Sequence, residues 1–184
     1  MLVVSEIEQL PVQGARTGNP EAWNLLFKRY QLPLYTYAFE LVHDEQTGLD
    51  IVQETFVNAT RYIGSLREDA KFGSWLFGIA HQKCIQHWRK RRPDQISLDA
   101  DDADYPAGDS GPLELLLRKE QEEEFMKALE RLAVPHRAVL LLHCIEEFSL
   151  DEIALITETP IGTVKSRLHY ARKALKPLLE KSRS

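Results

Sequence analysis

From Asn19 to Arg92 the apolar residues recur at steps of three and four, the spacing that lines one face of an α-helix. A first stripe runs Trp23, Leu26, Phe27, Tyr30, Leu34, Tyr37, Ala38 and Leu41; a second runs Leu49, Val52, Phe56, Ala59 and Ile63; a third runs Phe72, Leu76, Ile79, Ala80, Cys84, Ile85 and Trp88. Three such helices can share one core. Asn19 followed by Pro20 pairs an N-cap side chain with a proline at the first helical position, where its missing N–H costs nothing. Pro93 ends the third helix, because its ring is incompatible with continuing the ladder. Helical spacing resumes at Leu113 and runs through Leu116, Leu117, Phe125, Ala128 and Leu129 to Leu132. Pro135 opens another helix to about Glu147. Ser149 with Glu152 three residues later has the form of a capping box and starts a short helix, Leu150 to Ile156. Thr159 and Pro160 repeat the cap-then-proline signature and open a last helix to about Leu175. No β pattern or internal repeat interrupts the series, so the chain is all-α.

Composition changes abruptly between the two helical bodies. Residues 93–112 hold Pro93, Pro106, Gly108, Gly111 and Pro112 with six aspartates, the composition of a flexible acidic linker. The expected organisation is therefore two small helical domains, 1–92 and 113–184, joined by a linker at 93–112.

Charge sharpens this division. The formal net charge of −5 over 184 residues argues at first against a nucleic-acid partner, since phosphate binding needs Lys and Arg. The average conceals the distribution. Residues 71–92 contain six bases and no acids, residues 93–124 contain two bases and eleven acids, and residues 160–184 contain seven bases and one acid. Two cationic blocks are thus separated by an anionic one, and blocks of this kind mark separate functions. Two cysteines, Cys84 and Cys144, and no secretory leader point to the cytoplasm rather than to a disulfide framework. The longest uncharged apolar run, Ala138 to Leu142, is far short of the roughly 18 residues a membrane span requires.

The C-terminal block has a specific shape. A short helix (150–156), a tight connection and a longer basic helix make a helix-turn-helix pattern. Ile161, Val164, Leu168, Ala171 and Leu175 fall on one face, toward the core with Ile153 and Ala154. Thr163, Lys165, Ser166, Arg167, His169, Tyr170, Arg172 and Lys173 are left to point outward. They combine phosphate-seeking cations with hydroxyls able to reach base edges, on a helix that fits a major groove about 12 Å wide.

The run Gly162-Thr163-Val164-Lys165-Ser166-Arg167-Leu168, followed by Ala171-Arg172-Lys173-Ala174-Leu175, resembles region 4 of the extracytoplasmic-function (ECF) sigma factors of bacterial RNA polymerase. Asp50-Ile51-Val52-Gln53-Glu54-Thr55-Phe56 resembles region 2.2 of the same family. Phe72, Trp75, Leu76, Ile79 and Ala80, followed by the Arg89 to Arg92 run, resemble regions 2.3 and 2.4. The resemblance implies a factor that binds core polymerase and directs promoter-specific initiation. Asp50, Gln53, Glu54 and Phe56 would meet the clamp of the largest subunit. Lys71, Trp75, Lys83, Gln86, Trp88, Arg89, Lys90 and Arg91 would recognise and open the −10 element. The outward set of the last helix would read the −35 element, and region 4 would touch the polymerase flap. An anti-sigma factor joins the partners it allows. Gly73, Gly78, Gln82, Gln86 and Tyr170 depart from the family's usual residues, so promoter preference does not carry over.

Competing chemistry is sparse. His81, Cys84 and His87 lie at steps of three on one helix, but a structural zinc site usually takes four ligands and the sequence offers no fourth. No nucleophile with a base and an orienting group, phosphate-cradling glycine loop or carboxylate cluster is legible, so neither an enzyme nor a cofactor, metal or small-molecule substrate is expected. The alternative to a sigma factor is a stand-alone helix-turn-helix regulator that binds duplex DNA without polymerase.

Overall fold

The computed structural model describes residues 10–91 and 126–181, apart from the side chains of Ile145 and of 177–181. The expected linker at 93–112 and the start of the helix expected from Leu113 lie outside the described residues. Among the described residues all regular structure is helical: α1 (Val12–Arg16), α2 (Pro20–Val42), α3 (Glu45–Tyr62), α4 (Phe72–Arg91), α5 (Val134–Ile145), α6 (Leu150–Thr157) and α7 (Ile161–Lys181), with two 3-10 turns between α3 and α4 and a helical stretch at 126–129.

Local chemistry accounts for the boundaries. The Asn19 side chain accepts from the backbone N–H groups of Glu21 and Ala22, and Pro20 occupies the first turn of α2. That helix ends where His43 turns left-handed (φ 51°, ψ 40°), and Asp44 at once caps α3 by accepting from Thr47 N–H. These hydrogen bonds hold the Asp44 carboxyl below its ordinary pKa. The capping box at α6 is complete: Ser149 Oγ accepts from Glu152 N–H while the Glu152 carboxylate accepts from Ser149 N–H. Helix α7 continues past Leu175 to Lys181, carried through Pro177. Helix α1 lies in a stretch whose sequence offered no motif. It is tied down by Arg16, whose guanidinium donates to Asp69 and to the backbone carbonyls of Ile63 and Leu66.

Helices α2, α3 and α4 pack on one another around Leu26, Leu34, Tyr37, Phe72, Leu76 and Phe77, all fully buried. Helices α5, α6 and α7 form a second body around Leu140, Leu142, Ile153 and Val164. The two bodies do not stand apart. Helix α2 packs on α5 and α4 on α6, and the buried side chains of both bodies form one cluster.

Three contacts cross this seam. The Phe77 and Phe148 rings meet edge to face with centroids 5.2 Å apart. Within the first body, next to Phe77, the Tyr37 hydroxyl and His81 Nδ1 lie 2.7 Å apart. Arg29 bridges to Glu146 at 3.3 Å, and burial pushes the Glu146 carboxyl up despite the nearby guanidinium. The buried Arg137 of α5 donates to the carbonyl of Glu40 on α2 at 2.6 Å, to those of Glu130 and Leu132 in its own body, and meets His43 Nε2. One cation thus clamps both bodies at once.

Candidate functional site

Two kinds of surface stand out, one apolar and one cationic. The apolar one is a groove of about 610 Å³ between α2 and α3, lined by Phe27, Leu32, Tyr35, Leu49 and Val52 with a polar edge from Gln31, Gln46, Asp50 and Gln53. Phe27 and Leu49, assigned by spacing to the core stripes, instead face outward here: they are 39% and 48% exposed, and Leu32 is 68% exposed. Periodicity marks a face as apolar without saying what covers it, and this stripe is wider than the core beneath it. Phe56 is buried and supports the groove from behind, its ring 4.9 Å from that of Phe27. Asp50, Gln53 and Glu54 sit exposed on α3; Asp50 accepts from the Gln46 side chain at 2.9 Å. A water-exposed apolar concavity with a rim of carboxylates and amides is suited to an apolar ridge flanked by cations.

The cationic surface of the first body lies on α4. Gln86, Arg89, Lys90 and Arg91 are exposed at its C-terminal end, where positive charge also complements the helix dipole. Lys71 is exposed near its start, 3.5 Å from Glu68. The remaining residues expected to face DNA are held by the protein. Trp88 is half-buried and its indole N–H donates to the Leu41 carbonyl at 2.6 Å. Trp75 is half-buried against Phe72. Lys83 has a side chain only 16% exposed, with Nζ 2.7 Å from the Glu54 carboxylate. A Cβ at Gly73 would meet the Tyr30 hydroxyl at 2.9 Å. At Gly78 the same atom would meet open space.

His81, Cys84 and His87 of α4 do not converge on one point. His81 is buried and bonded to Tyr37, and burial with the Arg167 charge nearby pushes its pKa down to about 4. Burial pushes the Cys84 thiol up to about 12, and His87 lies on a half-exposed face. Among the described residues no group of three metal-ligating side chains converges, and no helix is long and apolar enough to cross a membrane.

On the second body, α6 and α7 form the expected helix-turn-helix. Val164, Leu168, Ala171 and Leu175 are buried with Ile153, whereas Ile161 is exposed and Ala154 only half-buried. Lys165, His169, Tyr170 and Lys173 face outward. Thr163, Ser166, Arg167 and Arg172 are half-buried rather than fully outward. For Ser166 the hydroxyl is bonded back to the Thr163 carbonyl. The Arg167 charge lies near enough to His81 of the first body to act on that imidazole. The residues missed from the sequence are Leu32 and Tyr35 of the groove, and Arg137, a single arginine whose spacing gives no signal.

Two family descriptions match the chain. The family description Sigma-70 region 2 matches residues 26–93, and Sigma-70, region 4 matches residues 122–175. The RNA polymerase sigma-H factor of Pseudomonas aeruginosa is 33% identical over 193 aligned residues, covering 98% of this chain and all of that protein. The ECF RNA polymerase sigma-E factor of Escherichia coli K12 is 32% identical over 176, covering 91% and 92%. Among solved structures, CnrH in complex with the cytosolic domain of CnrY aligns with a TM-score of 0.68 at 24% identity, covering 96% of this chain and 99% of that one. The sigma factor RpoE in complex with the anti-sigma factor NepR from Bartonella quintana aligns with a TM-score of 0.62 at 27% identity, covering 84% and 96%.

Proposed function

The chain belongs to the ECF sigma factors of the sigma-70 family, and from that membership we propose how its surfaces divide the work of initiation. It binds core RNA polymerase and directs promoter-specific transcription initiation. The groove between α2 and α3 receives the clamp of the largest subunit: Phe27, Leu32 and Leu49 supply apolar contact while Asp50, Gln53 and Glu54 offer partners to clamp cations. The cationic end of α4, with Gln86, Arg89, Lys90 and Arg91, holds the separated strand of the −10 element. Helix α7 reads the −35 element through Lys165, His169, Tyr170 and Lys173, with Thr163, Ser166, Arg167 and Arg172 at its edges. Region 4 also meets the flap. The domains divide as 1–92 and 113–184 around the acidic linker, and the protein works in the cytoplasm as a binding factor rather than a catalyst.

The observation that carries this reading is the order of the two region matches, one on each helical body, with a groove on the first and a capped helix-turn-helix on the second. The seam adds a requirement. Elements centred at −10 and −35 are about 25 base pairs apart, or about 85 Å of B-form DNA at 3.4 Å each. A compact chain of this length is only about 40 Å across. Both elements can be read together only after the α2–α5 and α4–α6 contacts separate.

An anti-sigma factor that favours the packed form would oppose that separation; the aligned structure of RpoE holds that sigma factor with the anti-sigma factor NepR. Supplying the purified chain to core polymerase on a genomic library of promoters tests the reading: specific transcripts with a common −35 and −10 pattern are expected. Duplex binding by the chain alone with no polymerase-dependent transcript would favour a stand-alone regulator instead.

A further inference from the structure

Glu54 and Lys83 belong to two different surfaces of the proposed function, yet they are bonded to each other. Glu54 projects from α3 on the face that carries Asp50 and Gln53. Lys83 projects from α4 on the face that continues, at steps of three and four, to Gln86 and Lys90. Their charged ends meet at 2.7 Å where the two faces join. We propose that this ion pair couples core binding to DNA capture: the carboxylate that the polymerase clamp engages is the one that neutralises Lys83 in the free chain, so assembly releases a cation for the −10 strand.

The physical basis is charge accounting at a phosphate. A lysine whose ammonium is already matched by a carboxylate brings no net positive charge to a nearby phosphate and displaces no counterion from it. The Lys83 stem is packed and only 16% exposed, which fixes its ammonium near one spot, whereas the Glu54 side chain is 66% exposed and free to swing toward a partner. Ion pairs with an exposed member are weak and open readily when one member is offered a better contact. A clamp guanidinium is such a contact, because it takes a carboxylate with two parallel hydrogen bonds. The coupling is necessarily reciprocal. A phosphate that draws Lys83 away frees Glu54 for the clamp, and the two binding events strengthen each other equally.

This inference rests on the assignment of α3 to polymerase and α4 to DNA, and the test separates the two. The full-length chain and its Glu54→Gln, Lys83→Met and Glu54→Gln/Lys83→Met variants are titrated against fluorescent oligo(dT) over a range of potassium chloride concentrations. Glu45→Gln on the same helix serves as a control that removes one acid elsewhere. The slope of log affinity against log salt should steepen by about 0.7 in Glu54→Gln, the value for one added phosphate contact to a single strand. It should stay at the wild-type value in Lys83→Met, in the double variant and in Glu45→Gln. Core polymerase should bind Lys83→Met at least as tightly as wild type and Glu54→Gln more weakly. A Glu54→Gln slope equal to wild type or to Glu45→Gln, or one that stays steep in the double variant, overturns the coupling. An Arg89→Ala/Lys90→Ala/Arg91→Ala variant that binds oligo(dT) as well as wild type would overturn the underlying assignment of α4 instead.

Discussion

Replacing Arg137 with methionine tests whether one buried cation holds the two bodies together. The guanidinium satisfies the carbonyls of Glu40, Glu130 and Leu132, and its bonds to Glu40 and Leu132 are fully buried. Methionine fills the volume of the stem but donates nothing, so two buried acceptors lose their donor at about 1–3 kcal/mol each. Some of that loss is returned, because a desolvated charge is no longer held in the interior. The net destabilisation is about 2–4 kcal/mol, a large part of the roughly 5–15 kcal/mol that holds a protein folded. For a chain of this size the midpoint of thermal unfolding should fall by roughly 6–12 °C. Circular dichroism and tryptophan fluorescence follow the change together. All three tryptophans lie in the first body, so fluorescence reports that body while circular dichroism reports both. In the wild-type chain the two curves should coincide; in Arg137→Met they should separate. Arg137→Lys retains the charge but not the fork that reaches acceptors in both bodies, and should recover less than half of the loss. A methionine variant within about 0.5 kcal/mol of wild type, or coincident curves in both proteins, would refute the clamp.

Other perturbations have equally definite outcomes. His81 has a folded pKa of about 4 against an ordinary value near 6.5, so the unfolded chain takes up a proton first. Stability attributable to this residue is complete above about pH 6.5 and falls by about 3 kcal/mol as pH drops toward 4. Urea unfolding of His81→Gln, which keeps an acceptor for Tyr37, should show a shallower acid loss than wild type. Gly78→Ala, made into open space on a helix, should raise stability by up to about 1 kcal/mol, whereas Gly73→Ala should lower it because Tyr30 must move; opposite signs in chemical denaturation are the check. Ser149→Ala removes the cap of α6 and should cost about 1 kcal/mol in the same measurement. Lys165→Ala should weaken duplex binding uniformly across sequences and reduce its salt slope by about 1.

The helices and their caps were legible because each rests on residues close in sequence: Asn19-Pro20 and the Ser149–Glu152 box act within one turn, and the stripes need only a period. The groove was half legible. Asp50 and Gln53 came from a motif, but Phe27 and Leu49 were read as core, since an apolar step of three or four is the same whether a neighbouring helix or an external partner covers it. The seam was not legible at all. Arg137 and Glu40 are 97 residues apart, and nothing in an isolated arginine within an apolar run tells which carbonyls it will find. Packing of α3 on α4 likewise linked Glu54 to Lys83, so residues sorted by motif into separate surfaces prove to be in contact.

The central claim is that the α2–α3 groove docks this chain on core polymerase and thereby turns polymerase to specific promoters. Its most direct test is promoter-specific transcription by core polymerase with the chain carrying Leu49→Asp, a substitution at an exposed position that places a charge in the groove and leaves the core and both cationic helices intact. The account predicts that the wild-type chain yields discrete start sites, that the variant yields few or none, and that the variant still folds and binds DNA alone as the wild type does. Undiminished transcription from the folded variant would contradict it.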